Sequence, residues 1–205
     1  MSNPFAKIAF TESVRKTQEH YGTRGTNERL ENLDRLDELT KNEAEFINER
    51  DGFYLATVNE DGHPYVQFRG GPKGFLKVLD EKTLAYADFR GNLQYISIGN
   101  LQKNNKAALI LMDYANRSRL KILAQIEVVD ARDNPDLIEK LAMPDYKAKI
   151  ERAMILHIEA YDWNCPQHIT QRFTLEEIEQ ATGSLRQKIR ELETEVARLR
   201  TNERT

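Results

Sequence analysis

Positively charged residues and glycines alternate in two stretches of this 205-residue chain. The first stretch (67–77) reads QFRGGPKGFLK and the second (87–101) reads ADFRGNLQYISIGNL, each beginning at the end of an apolar, β-prone run. The cations provide charge for an anionic ligand, and the glycines let backbone N–H groups approach it closely. The residues concerned are Arg69, Gly70, Gly71, Lys73, Gly74, Lys77, Arg90 and Gly91. This combination indicates a site for a phosphate joined to a flat polar ring.

Other motifs that could carry chemistry are weak. The chain contains neither GxGxxG nor GxxxxGK[ST], which argues against a dinucleotide-binding Rossmann fold and a P-loop. Cys165 and His168 lack two further zinc ligands nearby, and only the turn at Pro166 supports a Cys–His nucleophile. We therefore expect no metal site, assign no catalytic residue, and interpret residues 163–168 as a lid or rim of the ligand pocket.

The composition is that of a soluble protein. A net charge of −3 and a pI near 5.9 give no reason to expect a nucleic-acid partner. No apolar run approaches the roughly 20 residues needed to span a bilayer, so no membrane partner is expected. The start of the chain lacks the features of a signal peptide, and one cysteine excludes an internal disulfide framework. We expect a cytoplasmic location.

Alternating apolar residues predict consecutive strands with short links. The predicted strands cover residues 53–58, 64–68, 75–79, 83–87, 107–112, 120–129 and 153–160. Few helices separate them, which favours an antiparallel barrel over a Rossmann sheet. The expected fold is mainly β with α additions, an antiparallel split barrel of six or seven strands. Three regions follow: an N-terminal helical extension (1–50), the barrel domain (51–173) and a C-terminal helix (174–205).

Local signals predict helices at several points. A capping box of Thr40 and Glu43 begins one of them. The others are expected over residues 11–20, 94–101, 133–141 and 146–151. In the helix over 94–101, the residues expected to face inward are Ile96, Ile98 and Leu101.

The last 32 residues have the pattern of a long amphipathic helix. Thr174 and Glu177 form a second capping box, and apolar residues then recur at alternating spacings of three and four. Ile189 and Val196 fall at a positions with leucines at d positions, which favours a parallel two-stranded coiled coil. Packing of this helix on its own barrel is the alternative, and the sequence leaves it open.

Between residue 53 and about residue 112, the chain resembles the FMN-binding split-barrel superfamily typified by pyridoxamine 5′-phosphate oxidase. The residues that carry the resemblance are an arginine at the end of the second strand (Arg69), the pair Leu76-Lys77, the strand end Tyr86-Ala87-Asp88, and the polar turn 91–94. The segments RGGPKGFLKVLD and DWNCPQHI are also similar to an uncharacterised subgroup of proteins related to that oxidase.

The chain also departs from that family's pattern. Glycines and a proline are inserted between Arg69 and Lys77. The family's basic pair after the fourth strand is replaced by Asn92 and Leu93. Towards the C-terminus, NCPQHITQ separates Trp163 from Arg172, where the oxidase has a substrate-binding Arg-Leu-His motif. The chain is therefore expected to be a relative of the oxidase and not the oxidase itself.

The resemblance implies FMN as cofactor and a homodimer. Arg69 would bind the phosphate with Lys77, Arg90 or Asn92, and apolar side chains would form a wall for the isoalloxazine ring. The implied cofactor-binding set is Gln67, Phe68, Arg69, Phe75, Leu76, Lys77, Ala87, Asp88, Arg90, Asn92, Gln94, Trp163 and Arg172. The expected function is an FMN-dependent oxidoreductase acting on a small molecule or NAD(P)H. A dimeric module that binds flavin or haem without turnover is the alternative.

Overall fold

The computed structural model describes residues 3–34, 38–163 and 167–202, and its centre is one antiparallel sheet. Its strands are β1 (Gly52–Val58), β2 (Pro64–Gly70), β3 (Lys77–Asp80), β4 (Thr83–Phe89), β5 (Lys106–Asp113), β6 (Ser118–Asp130) and β7 (Ile150–Trp163). They pair in the order β2-β1-β5-β6-β7-β4-β3, so β2 and β3 form the two edges. The predicted antiparallel architecture of six or seven strands is confirmed.

Seven helices surround the sheet within the described residues. They are α1 (Pro4–Ala9), α2 (Glu12–His20), α3 (Arg24–Glu31), α4 (Lys41–Asn48), α5 (Ile96–Lys103), α6 (Pro135–Leu141) and α7 (Leu175–Asn202). The sequence predicted only α2 of the first three. No helix in the described part of the chain is both long and apolar enough to cross a membrane.

The core lies on the inner face of the curved sheet. Alternate residues of each strand point inward, so leucines and isoleucines of β1, β5, β6 and β7 are fully buried there. At the open side of the curve, Phe53 stacks on Phe75 at 5.7 Å between ring centroids and meets Tyr86 edge-on at 5.3 Å. These three rings fill the space between β1 and β4, which are not neighbours in the sheet.

Strand β4 is buried on both of its faces. Leu84 and Tyr86 point into the main core, whereas Ala85 and Ala87 point outward into a second apolar cluster with Leu141 of α6. The two alanines leave room for α6 to approach the strand closely. Because both faces are covered, the end of β4 at Phe89 is held in a fixed position.

One sequence prediction about helices is wrong, and another is confirmed only in part. Residues 146–151 were expected to be helical, but β7 begins at Ile150, which pairs with Phe89 of β4. In α5, Leu101 is buried and Ile98 packs against the core as expected, whereas Ile96 is exposed. The inward face also includes the buried polar residues Ser97 and Asn100, and the Asn100 side-chain amide donates a 3.0 Å hydrogen bond to Thr57 Oγ1.

Helix α4 is joined to the end of β7 through one buried carboxylate. The predicted capping box is confirmed, and Glu43 accepts hydrogen bonds from the Thr40 amide at 3.0 Å and from Trp163 Nε1 at 2.7 Å. Burial opposes ionisation of Glu43, but the hydrogen bonds from Thr40 and Trp163 outweigh it and hold its pKa below the ordinary value. The ionised form of Glu43 therefore stabilises the fold.

Glu43→Gln should lower the free energy of unfolding at neutral pH by about 1–3 kcal/mol, because the charge-assisted hydrogen bonds are lost. Since the folded-state pKa is depressed, this stabilisation is present above the unfolded-state pKa and disappears as the pH falls through the folded-state value. The difference between wild type and variant should therefore shrink in acid. Urea unfolding followed by the fluorescence of Trp163, the only tryptophan, measures it. A pH-independent difference would contradict this account.

Candidate functional site

A buried carboxylate joins three strands at the open side of the sheet. Asp88, at the end of β4, is only 2% exposed. It accepts a 2.8 Å hydrogen bond from Arg69 Nη1 of β2 and a 2.9 Å bond from Arg152 Nε of β7. Arg152 is paired with Asp88 in the sheet, whereas Arg69 reaches it across the opening. Arg69 thus connects the β2 side of the sheet to the β4 side.

The charge network continues outward from Arg152. Glu151 accepts 2.8 Å hydrogen bonds from Arg152 Nη2 and Arg90 Nε, and the Tyr95 ring centroid is 5.0 Å from the Arg152 guanidinium. Burial raises the pKa of Glu151, but hydrogen bonds from the two arginines outweigh this effect and lower it below its ordinary value. Three arginines and two carboxylates leave this network with one net positive charge.

A narrow polar crevice opens beside this network. Its volume is about 40 Å³. The polar residues around it are Tyr65, Gln67, Arg69, Asp88, Asn92, Gln94, Tyr95, Ser97 and Arg152. A space of this size has room for one small polar group or a few water molecules, but not for a three-ring system.

The loop that forms the outer wall of the crevice is strained. Leu93 and Tyr95 have φ values of 65° and 53°, in the left-handed region that non-glycine residues rarely adopt. Such residues cost on the order of 1–3 kcal/mol and cluster at ligand-binding sites. Their conformation leaves Leu93, Tyr95 and Ile96 exposed as an apolar rim beside the polar crevice.

Two buried polar atoms of this region have no hydrogen-bond partner in the described structure. They are Arg69 Nε and the Tyr86 hydroxyl. Burial raises the pKa of Tyr86, so this group stays a neutral phenol with a free proton to donate. Buried donors are normally paired, and an unpaired one indicates a missing acceptor. Arg69 lines the crevice, so a small shift of its side chain would let an anionic oxygen there accept a hydrogen bond from Nε.

A second, wider cavity lies on the outer face of the sheet. This groove has a volume of about 550 Å³, between β1, β2, β5 and the first turns of α7. Phe68 meets Tyr54 edge-on at 5.4 Å between centroids, and the Arg172 guanidinium lies 5.0 Å from the Tyr114 ring centroid. Lys73 also lines the groove, in which acidic residues outnumber basic ones.

Arg50 and Asp113 form the buried ion pair of this groove, with 3.2 Å between Nη1 and Oδ2. Burial raises the pKa of Asp113, but hydrogen bonds from Asn116 and the charge of Arg50 hold it below its ordinary value. The pair therefore resembles Arg69–Asp88 in chemistry while lying at a different cavity.

The predicted site residues divide between these places. Gln67, Arg69, Asp88, Asn92 and Gln94 line the crevice, and Arg90 belongs to the adjoining charge network. Phe68 and Arg172 line the groove.

Besides Arg90, five predicted residues line neither cavity. Phe75 and Leu76 are buried in the core, and Ala87 is buried under α6. The Lys77 ammonium lies 3.7 Å from the Met143 sulfur. Trp163 lies eleven residues along β7 from Arg152, on the order of 35 Å away at the usual rise of a strand. Cys165, which belongs to the predicted rim, lies outside the described residues.

Sequence reasoning missed Arg152, Tyr95 and Ser97. Arg152 reaches the crevice only because β7 pairs with β4, and a single sequence does not specify that pairing. Ser97 Oγ donates a 3.1 Å hydrogen bond to Gln67 Oε1, a contact between α5 and β2 that no local pattern encodes. Among the described residues, no group of three or more His, Cys, Asp or Glu side chains could hold a metal ion.

The sequence and the architecture together assign a family. The family model for pyridoxamine 5′-phosphate oxidase matches residues 39–178, which include the whole sheet and the first turn of α7. The chain belongs to this family of FMN-binding split-barrel proteins, and the resemblance seen in the sequence is confirmed. No curated protein matches the chain.

Solved structures are similar to this chain at low sequence identity. HupZ from Group A Streptococcus has a TM-score of 0.50 at 18% identity, over 66% of this chain and 99% of that chain. An FMN-binding protein from Syntrophomonas wolfei has a TM-score of 0.43 at 16% identity, over 75% of this chain and 96% of that chain. An F420 reductase has a TM-score of 0.42 at 21% identity, over 58% of this chain and 94% of that chain.

Asp88→Asn should lower the free energy of unfolding by about 3–5 kcal/mol, because two partly buried guanidiniums would lose their shared counter-charge. Urea titration measures the change. Asp130→Asn is the matched control, since Asp130 pairs with Arg132 at the surface and should unfold like wild type. Equal stability of the two variants would show that Arg69 and Arg152 do not depend on Asp88.

Proposed function

We propose that this protein binds FMN with the phosphate in the Arg69 crevice and acts as an oxidoreductase. One observation carries the proposal: Arg69, whose buried Nε has no partner among the described residues, lines a small polar crevice in a chain of this family. Arginine has five N–H donors, and Asp88 uses Nη1, so donors remain for a phosphate oxygen. We also propose that the protein is cytoplasmic, which its single cysteine favours.

The remaining donors fit a phosphate as well. The side-chain amides of Gln67, Asn92 and Gln94 line the crevice, as do the hydroxyls of Tyr95 and Ser97. These two hydroxyls donate to Glu151 and Gln67 in the free protein, so each would have to turn to reach a ligand. Asn92 and Gln94 are exposed. Asn92 Nδ2 donates to Gln94 Oε1 and Asn92 Oδ1 accepts from the Gln94 backbone amide, both at 3.2 Å, so these local bonds can be exchanged for contacts with a ligand. The net positive charge of the neighbouring network favours a dianion over a neutral group.

The isoalloxazine ring would lie outside the crevice, which is too small to admit it. The exposed rim of Leu93, Tyr95 and Ile96 provides an apolar wall beside the crevice mouth. This differs from the sequence-based expectation that Phe75 and Leu76 form the wall, because both are enclosed in the core. Bound FMN would supply the redox chemistry, and the chain would bind the phosphate, orient the ring and shield one of its faces.

Arg69→Ala should weaken FMN binding about 10- to 150-fold, the equivalent of roughly 1.5–3 kcal/mol for a lost charge-assisted partner. Quenching of FMN fluorescence on titration with protein measures the affinity. Arg50→Ala is the matched control, because it also breaks a buried arginine–aspartate pair but at the groove.

The two variants distinguish the sites. Loss of affinity in Arg50→Ala with normal affinity in Arg69→Ala would place the ligand in the groove. Equal loss in both would indicate general destabilisation, which urea unfolding of each variant detects. If neither the wild type nor the variants bind FMN at micromolar concentration, the proposal is wrong.

Reduction by a nicotinamide separates an enzyme from a flavin-binding module. We expect NADH or NADPH to bleach the 450 nm band of the FMN-loaded protein, and air to restore it. Free FMN at the same concentration, with the same nicotinamide, is the control. A loaded protein that is bleached no faster than free FMN would favour binding without turnover.

A further inference from the structure

Helix α7 carries a row of apolar side chains that no other described part of the chain covers. These side chains are between 41% and 80% exposed. The row consists of Leu175, Ile178, Leu185, Ile189, Leu192, Val196 and Leu199. The helix lines the groove only through its first turns, at Glu177 and Gln180. The alternative in which the helix packs on its own barrel is therefore not what the structure shows.

The spacing of the row favours another helix as the covering surface. With Thr182 included, apolar or small positions recur at alternating steps of three and four from Leu175 to Leu199, without a break. A straight helix lying on a sheet needs a period of 3.6, and a strict seven-residue repeat drifts about 20° per heptad from such a surface. Here the seven-residue repeat continues without a break from Leu175 to Leu199, as it does in two helices that supercoil around each other.

We propose that α7 forms a parallel, two-stranded coiled coil with α7 of a second copy of this chain. Ile189 and Val196 at a positions with Leu192 at a d position favour two parallel strands. This inference goes beyond the proposed function and does not depend on flavin binding.

Charges beside the row are complementary between two copies. In a parallel pair, Lys188 lies across from Glu193 of the other copy, and Glu195 lies across from Arg200. In the single chain, Lys188 and Glu195 make exposed pairs with Glu191 and Arg198, at 3.4 and 2.7 Å. Exposed pairs of this kind contribute little, so exchanging them for contacts between copies costs little.

The parallel arrangement has a consequence for the groove. Both helices begin at the same end of the coil, so the two grooves that their first turns line are brought to that end. Each groove includes Tyr54, Phe68 and Ile110, apolar side chains of the outer sheet face that are exposed in the single chain. The second copy thus approaches an apolar surface that is continuous with the start of the coil.

Cysteine crosslinking of the full chain tests the proposal. In a Cys165→Ser background, Leu199→Cys should form a disulfide-linked dimer under air oxidation at least about tenfold faster than Thr194→Cys. In a parallel coil, residue 199 of one chain lies next to residue 199 of the other chain, at high effective concentration. Position 194 lies on the opposite side of the helix. In an antiparallel pair, residue 199 of one chain would lie next to residue 182 of the other, and the two residues at position 199 would be some 25 Å apart along the axis. Non-reducing gel electrophoresis measures the rates.

A second pair of variants gives an independent readout. Leu192→Asp should lower the helical signal at 222 nm and its melting temperature, whereas Thr194→Asp should leave both unchanged. Helicity is measured instead of mass because contacts between the sheet domains of two copies could hold the variant as a dimer even after the coil is lost. Equal crosslinking at positions 199 and 194 would overturn the parallel coil. Loss of helicity in Leu192→Asp without crosslinking at position 199 would also overturn it and indicate another partner for the row.

Discussion

The pairing of Asp88 with Arg69 and Arg152 is the interaction on which the open side of the sheet depends. Four strands separate β2 from β4 in the sheet, so no backbone hydrogen bond joins them. The Arg69 side chain makes that connection instead, through its hydrogen bond to Asp88. The Arg69 side chain crosses the gap between β2 and β4 without filling it, and the crevice lies beside it. The contact that joins the two sides of the sheet therefore also borders the candidate site.

The two cavities differ in the physical basis of any binding. The crevice is small, and its arginines and carboxylates are largely matched, so a ligand there would share Arg69 with Asp88. Selectivity would come from charge and size. The groove is wide and amphipathic, with Phe68 and Tyr54 on one side and the Arg50–Asp113 pair on the other. Shape and apolar contact would dominate there, as at a surface that meets another protein chain.

Local signals predicted most elements, and long-range pairing decided the rest. The capping boxes at Thr40 and Thr174 are confirmed because each is complete within four residues. The helix expected at 146–151 is absent because β4 pairs with Ile150, a contact some 60 residues away in sequence. Arg69 was predicted as a site residue from a local signal, its place at the end of a strand. Arg152 has no such local signal and was not predicted. Assigning Arg152 to the site requires knowing which strand lies beside Asp88.

The length of α7 affects how the molecule moves in solution. Its 28 residues extend about 42 Å, longer than the diameter of many small domains, and nearly all of them are exposed. A body with such an extension has more friction than a sphere of the same 23.8 kDa. Its elution volume from a sizing column would overstate its mass, even for a single chain. Subunit number is therefore better obtained from scattered light or sedimentation equilibrium, neither of which depends on shape.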